Sequence, residues 1–439
     1  MKERTQVLLV VLVLLSSCGI SNRIRRDGRE VIGAKALETA HVGISIFDPS
    51  TKKYLYDHHG DRYFIPASNT KIATCYAAMK YLGDRLIGIH WMERDTALFI
   101  YPTGDPTLLH PGFPNHPVYD FLKKAGKNVY VVDVGWDDLQ WGSGWSWNDY
   151  DQSYMAEKSP LPVYGNLVKW VQEKGDSAQP ATIYSVPEVN WRVTFNAGTR
   201  QNFLVRRELA ENSYTITEGR EKKREISIPF ATHGSLTSIE LLRDTLDVSI
   251  DLYPRQKSLP LRTQMNDVYS QATDSMLAIM MHSSDNFFAE QVLLMVSDRL
   301  MKTLSSSRAR DSILNKDFAD LPQKPRWADG SGLSRYNLFS PRDMIAILDK
   351  MRNEFGMERI RVIFPTGGEG TISNYYKSDS GFVYAKTGTL SGVLAFSGFL
   401  YTKKGRLLIF STQVNNHQAS VTDIRRIMEN FLQKIRNDY

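Results

Sequence analysis

Three short segments carry side chains that could do chemistry together. Ser68-Asn69-Thr70-Lys71 sets a serine and a lysine three positions apart, and on a helix such a pair shares one face. A serine hydroxyl is a weak nucleophile until a base takes its proton. A lysine amine can be that base once burial or a second cation lowers its pKa toward the working pH. A serine near a helix N-terminus also has its backbone N–H free to face a developing oxyanion. Ser284-Asp285-Asn286 offers a hydroxyl and an amide, suited to a proton shuttle and a carbonyl clamp, although Ser and Asp are also ordinary helix caps. Lys386-Thr387-Gly388-Thr389 lies in an extended run. It offers a cation, two hydroxyls for a carboxylate, and at Gly388 a missing side chain that would let a substrate lie close. Taken singly, a solvated helix start, an N-cap and a surface strand would account for each segment.

The surrounding pattern supplies elements to hold them. Ile72, Cys75, Tyr76, Met79 and Leu82 recur at helical spacing, with Gly83 as a stop, so the first segment opens a helix. That spacing puts Cys75 on the apolar side, as a buried structural cysteine. His41–Phe47 alternates as a strand, Asp48–Lys53 turns, and Tyr54–Tyr56 begins the returning strand. Helical patterns cover Ser238–Leu246, Asp267–Met281 and Asn286–Leu300, which places the second segment at the start of a helix. Strands are expected at Leu394–Tyr401 and Leu407–Val414, and a last helix from Val421. Residues 91–180 are rich in Gly, Pro and Trp with short strands such as Asn128–Val134. Residues 189–230 alternate strongly, as in Val189–Phe195 and Ile226–Pro229, and read as a small β unit.

The chain has 439 residues, 42% hydrophobic and 23% charged, enough for two or three packed domains. A net charge of +6 is mild for this length and gives no reason to expect a nucleic-acid partner. Two cysteines cannot build a disulfide framework or a Cys-rich zinc site. The nine histidines form no His-Glu-x-x-His pair, and Gly367-Gly-Glu-Gly370 lacks the Lys-Ser/Thr of a phosphate loop, so no metal or cofactor is called for. Lys2 and Arg4 precede an apolar run, Val7–Leu15, too short to span a bilayer. Leu15-Ser16-Ser17-Cys18-Gly19 resembles a bacterial lipobox, which implies a signal peptide over 1–17 and lipidation of Cys18. Acyl chains there would anchor the protein to a membrane at roughly 0.8 kcal/mol per buried methylene. Residues 18–30 are polar and basic and read as a tether.

Together, in the order Ser-x-x-Lys, Ser-x-Asn, Lys-Thr-Gly, the three segments resemble the motif set of the penicillin-recognising serine enzymes. The gap of 216 residues between Ser68 and Ser284 is too long for a small β-lactamase and requires inserted sequence. Pro66–Lys71, Gly104–Leu108, Ser284–Glu290, Asp329–Arg335 and Ala385–Gly392 are similar to the class C low-molecular-mass penicillin-binding proteins, the D-alanyl-D-alanine carboxypeptidase/endopeptidase type. Ser283, Tyr101–Gly104 and the stretch Trp141–Asn166 depart from that pattern.

The resemblance implies an α+β, transpeptidase-like domain, an antiparallel sheet flanked by helices, at 31–90 and 263–439. An inserted domain would occupy 91–180 and 233–262, with a nested β-rich domain at 181–232. It implies that Ser68 attacks the penultimate D-Ala carbonyl of a peptidoglycan stem peptide and that Lys71 takes its proton. Ser284 and Lys386 would relay a proton to the leaving amine, and Asn286 would orient Lys71 and the substrate amide. The oxyanion would sit between the N–H groups of Ser68 and Thr389, Thr387 and Thr389 would hold the terminal carboxylate, and Gly388 would line the substrate. Arg335 and Asp133 would read the charged end of a diaminopimelate side chain, and Ser391 could weaken that reading. Peptidoglycan is then the partner, β-lactams are the inhibitors, and the protein is lipid-anchored in the cell envelope, facing the periplasm, with a homodimer as a further expectation. A serine β-lactamase and a non-catalytic cell-wall-binding lipoprotein are the competing readings. Both carboxypeptidase and endopeptidase activity cleave beside D-Ala, so the sequence leaves that choice open.

Overall fold

The computed structural model describes residues 23–134, 136–175, 181–254 and 265–439. The signal peptide and Cys18 lie outside the described residues. The chain divides into two compact units, one of residues up to Tyr76 with Leu277–Ser284 and Ile313–Tyr439, the other of Ala77–Met276 with Asp285–Ser312.

The first unit is built on a five-stranded antiparallel sheet in the order Val383–Leu390, Val393–Tyr401, Leu407–Asn415, His41–Asp48, Lys53–His58. The first and last parts of the chain thus meet in register, with Ile44 opposite Thr412 and Ile46 opposite Phe410. Val383, Ala385, Leu408, Phe410 and Val414 from the strands and Met428, Phe431, Leu432 and Ile435 from the helix Val421–Asp438 share one core. That helix repeats apolar residues at 424, 428, 431, 432 and 435, the spacing of one buried face. Residues 23–32, partly expected as tether, are helical instead, because Ile24 and Val31 are apolar and enter the same core. The helix Pro341–Ile363 starts on a capping box. Asp343 N–H donates to the Ser340 hydroxyl at 3.0 Å, and Ser340 N–H donates to the Asp343 carboxylate at 2.9 Å.

The second unit has a mixed five-stranded sheet in the order Ile250–Tyr253, Asn128–Val132, Ala97–Pro102, Arg85–Arg94, Asn266–Ala272. Ile89, Ile100, Val131, Leu242 and Ile250 form its core with the helices Pro117–Lys124 and Leu236–Leu246. Two three-stranded sheets lie between residues 167 and 229 and share a cluster that includes Trp170, Val205, Tyr214 and Ile216. The helix Asn286–Met301 is buried continuously from Phe287 to Asp298. It is fixed by Gln291, whose amide donates to Gly104 O at 2.7 Å and to Ser159 O at 2.9 Å, and accepts from Ser159 N–H at 3.1 Å.

One expected helix is shorter than its pattern. Asp267–Ala272, expected helical, is the edge strand Asn266–Ala272, and the helix runs only over Thr273–His282. Val268 and Tyr269 favour the strand, and pairing with Arg85–Arg94 overrides the helical spacing of the apolar residues that follow.

Candidate active site

Ser68 sits in a 3-10 turn, Ala67–Thr70, that leads directly into the helix Lys71–Tyr81. The turn is held from within: Asn69 N–H donates to Pro66 O at 3.1 Å and the Thr70 hydroxyl to Ala67 O at 2.9 Å. Ala67 takes a left-handed φ of 46°, a costly conformation for a residue with a Cβ. Neighbouring segments hold it there. Gly332, at φ 83°, is so close that a Cβ on it would lie 1.8 Å from Ala67 O. Gly388 approaches from the strand, where a Cβ would lie 2.5 Å from Pro66 O and 3.0 Å from Ser68 N. The bare Cα of Gly388 lets the strand meet the backbone of the serine turn.

Lys71 is fully buried. Its Nζ donates to Ser68 Oγ at 3.0 Å and to the Ser331 carbonyl at 2.8 Å. Ser331 belongs to a loop folded around the buried Asp329 carboxylate, which accepts the N–H groups of Gly332 at 2.8 Å and Ser334 at 2.6 Å and the Asn337 amide at 2.7 Å. The loop thereby presents a main-chain carbonyl to the lysine while its glycine braces Ala67.

Lys386 forms the second pair. It too is fully buried, and its Nζ donates to Ser284 Oγ at 2.8 Å and to Thr387 O at 3.0 Å. Burial, then the nearby charge of Lys71, then that of Arg425 hold its pKa well below the ordinary lysine value of 10.5. Ser284 has a left-handed φ of 61°. The buried Asn69 amide ties the two halves together, with its Nδ2 toward Lys386 O at 2.7 Å and its Oδ1 accepting from Ser397 Oγ at 2.7 Å. Two lysine–serine pairs therefore adjoin in one unit, joined through the backbone contact at Gly388.

The remaining expected residues fall in different settings. Thr387 is buried and its hydroxyl donates to Thr371 Oγ1 at 2.7 Å. Thr389 is exposed and its hydroxyl accepts from Arg425 Nη2 at 3.1 Å. Arg335 is exposed and donates to Ser391 O at 2.7 Å. Asn286 and Asp133 belong to the second unit. Asn286 opens its helix and donates Nδ2 to Tyr154 O at 3.2 Å, while Asp285 caps that helix by accepting Phe288 N–H at 2.9 Å. Asp133 follows the strand Asn128–Val132 and is exposed. Among the described residues, no group of His, Cys, Asp or Glu side chains is placed to hold a metal ion. Sequence reasoning passed over Asn69, Ser331, Thr371 and Arg425. The Asp329–Arg335 block stands out in the sequence only by resemblance, and the fold reveals that it holds the lysine.

Comparison with known proteins agrees with this geometry. The D-Ala-D-Ala carboxypeptidase 3 (S13) family matches residues 29–435. A D-alanyl-D-alanine carboxypeptidase of Actinomadura sp. (strain R39) is 25% identical, covering 90% of this chain and 81% of its own. The D-alanyl-D-alanine carboxypeptidase DacB of Haemophilus influenzae is 23% identical, covering 92% and 91%. The crystal structure of penicillin binding protein 4 from Haemophilus influenzae shares the fold with a TM-score of 0.72 at 23% identity, over 93% of this chain and 98% of that one. A peptidoglycan endopeptidase of Bdellovibrio bacteriovorus, Bd3459, superposes with a TM-score of 0.53 at 13% identity, over 91% and 93%. With two lysine–serine pairs set on a sheet and helices shared with these proteins, and a match across nearly its whole length, the chain belongs to the D-Ala-D-Ala carboxypeptidase 3 (S13) family.

Proposed function

We propose that the protein is a penicillin-sensitive, serine-type D-Ala-D-Ala carboxypeptidase/endopeptidase that acts on peptidoglycan stem peptides and cross-links through an acyl-enzyme on Ser68. The observation that carries this reading is the contact of buried Lys71 with Ser68 at 3.0 Å beside buried Lys386 with Ser284 at 2.8 Å. One amine can accept a proton and the other can give one.

Ser68 Oγ attacks the carbonyl carbon of the penultimate D-Ala as its proton passes to Lys71. The N–H groups of Ser68 and Thr389 receive the oxyanion, where loss of one such donor typically costs about 3–4 kcal/mol. The oxyanion collapses, the C–N bond breaks, and the leaving amine takes a proton through Ser284 from Lys386. A lysine whose pKa is lowered gives up that proton more readily. Water then attacks the ester carbonyl and gives a proton through Ser284 to Lys386, the ester C–O bond breaks, and Ser68 leaves with the proton held by Lys71, so that the serine and both lysines return to their starting states. Asn286 orients Lys71 and the substrate amide. Thr387 and Thr389 face the terminal carboxylate, and Gly388 brings their strand to the nucleophile. Arg335 and Asp133 read the far end of a diaminopimelate side chain. β-Lactams acylate the same serine; a relative's structure at 21% identity is described as a β-lactam complex.

The site belongs to a transpeptidase-like domain, 31–90 with 263–439, carrying an insert at 91–180 and 233–262 and a nested β domain at 181–232. The enzyme works in the cell envelope, held by lipid on Cys18 and facing the periplasm, as a homodimer. No helix among the described residues is long and apolar enough to cross a membrane.

Incubation with purified muropeptides, followed by mass analysis, tests the activity. Release of D-Ala from pentapeptides, or splitting of cross-linked dimers, is expected from the wild type and absent with Ser68→Ala. A wild type that is labelled by penicillin yet leaves every muropeptide intact would support the cell-wall-binding alternative. Rapid hydrolysis of a chromogenic cephalosporin without release of D-Ala would support a β-lactamase.

A further inference from the structure

The segment Trp136–Met155 of the second unit holds four of the eight tryptophans and no Lys, Arg or His. Most of it forms a closed loop. At the neck, Lys158 N–H donates to Gln140 O at 2.9 Å, and Trp141 Nε1 donates to Met155 O at 3.3 Å. Inside, the 3-10 turns Trp147–Asp149 and Ser153–Met155 are closed by Asp149 N–H to Ser146 O at 3.1 Å and Met155 N–H to Gln152 O at 2.8 Å. The Trp145 ring lies against the main chain of Gly142, where a Cβ would meet its Nε1 at 2.4 Å. Tyr150 anchors the loop: its hydroxyl donates to Arg207 O at 2.7 Å, and the Arg207 guanidinium lies over its ring at 5.4 Å.

Two rings stay outside this packing. Trp147 is 77% exposed and Tyr154 44%. They are neighbours, because the Tyr154 hydroxyl hydrogen-bonds the carboxylate of Asp149, two positions from Trp147. Folding normally hides much of such rings, and exposed apolar surface gathered on a braced loop marks a binding face. Ser146, Asn148, Asp149 and Gln152 are exposed around it. Asn148 Oδ1 accepts the Ser146 hydroxyl at 2.7 Å, so its amide N–H groups remain to donate to a ligand.

The charges select the ligand. Nearby cations are engaged by carboxylates of the segment: Lys158 by Asp138 at 3.2 Å, Arg206 by Asp151 at 2.5 Å and Arg308 by Asp137 at 3.4 Å. A polyanion would meet acidic and amide groups here. An apolar protein surface would have to desolvate Asp149 beside the rings. A neutral N-acetylated amino sugar suits both features. Its pyranose ring offers a flat C–H face to an aromatic ring, and its hydroxyl and acetamido edges reach carboxylate and amide groups. The loop is also moored to Asn286, which donates Nδ2 to Tyr154 O at 3.2 Å and to which the proposed mechanism gives the substrate amide. In peptidoglycan the stem peptide is amide-linked to a chain of such sugars, so one substrate molecule carries both parts.

We propose that the loop Trp141–Met155 is a glycan-binding platform, on which Trp147 and Tyr154 take the N-acetylated sugar chain that bears the stem peptide. This rests on the function proposed above and names the non-peptide part of its substrate.

Two measurements on the full protein test the platform, with wild type, Trp147→Ala and Trp147→Phe. The first is titration with chitohexaose, an uncharged N-acetylglucosamine oligomer, followed by tryptophan fluorescence and calorimetry. Wild type should bind, Trp147→Ala should bind about tenfold more weakly, and Trp147→Phe should keep part of the affinity. The second compares kcat/KM on a disaccharide-pentapeptide with that on the same pentapeptide without sugar. Wild type should prefer the sugar-bearing substrate through KM, and Trp147→Ala should lose that preference while its rate on the bare peptide is unchanged. Chitohexaose binding equal in wild type and Trp147→Ala, no sugar preference in wild type, or an equal loss on both substrates would overturn the proposal. So would a homodimer that Trp147→Ala splits into monomers that still prefer the sugar-bearing substrate, since a second copy would then cover the face. If Trp147→Ala melts far below the wild type, Trp147→Phe decides by the same criteria. A wild type whose Ser68 is labelled by penicillin but which ignores the sugar rejects the platform alone. A wild type that is not labelled and cleaves neither pentapeptide rejects the parent reading, and chitohexaose binding then decides the platform by itself.

Discussion

Lys386 is buried among like charges, and this sets a pH dependence with a definite sign. Its pKa is lowered by burial, by Lys71 and by Arg425. A proton donor of lowered pKa empties as pH rises, so activity should fall on the alkaline side below the usual lysine range. Arg425→Gln removes one repelling charge, so its alkaline limb should move to higher pH; a limb that stays or moves down would count against Lys386 as the donor. The same shift acts on stability. Between the lowered pKa and 10.5 the unfolded chain holds a proton that the folded chain does not, so this group makes stability rise with pH through that window. Ser68, Lys71, Ser284 and Lys386 are legible in the sequence because each stands in a motif of a few residues. Arg425 and Thr371 are not, because each is one residue of an unremarkable segment, and the chain brings it to the strand from 36 and 16 positions away.

Elements fix the approach of the strand to the serine turn. Gly388→Ala would set a Cβ 2.5 Å from Pro66 O, against main chain that has little room to move. Overpacking of this kind typically costs about 1–3 kcal/mol. The variant should unfold at lower temperature and be acylated by penicillin more slowly, as thermal melts and stopped-flow labelling would record; wild-type rates in Gly388→Ala would contradict the contact. Ser340→Ala, by contrast, removes the cap of the helix Pro341–Ile363 and the hydrogen bond from the Ser340 hydroxyl to Gln323 Oε1, both away from Ser68. It should cost about 1 kcal/mol in denaturant unfolding and leave the acylation rate unchanged. Helices with strong caps or sustained apolar spacing, such as Asn286–Met301, could be read from sequence. Asn266–Ala272 could not, because its state depends on a partner strand more than 170 positions away in the chain.

At the scale of the whole molecule, each unit can be taken by itself, with a hydrophobic cluster and titrating groups of its own. In the second, burial disfavours the His90 imidazolium, but hydrogen bonds and charge from Asp298 and Asp267 outweigh it and raise the pKa above 6.5. A raised folded pKa gives stability that is present below pH 6.5 and is lost as pH rises through the folded value. His90→Gln should flatten that part of the melting-temperature profile; an unchanged slope would mean the cluster is not charged. The spacing of the motifs, with 216 positions from Ser68 to Ser284, leads the sequence reading to expect inserted sequence. What the sequence could not supply was how the Asp329 loop and the Val421–Asp438 helix join that site, because both contacts depend on the assembled sheet. The central claim is that Ser68 is the nucleophile, and benzylpenicillin tests it most directly. Intact-mass analysis and peptide mapping of the treated, folded protein should find one adduct, on the peptide that contains Ser68, and none in Ser68→Ala. An adduct on another residue, or a folded wild type that takes up no penicillin, would contradict the account.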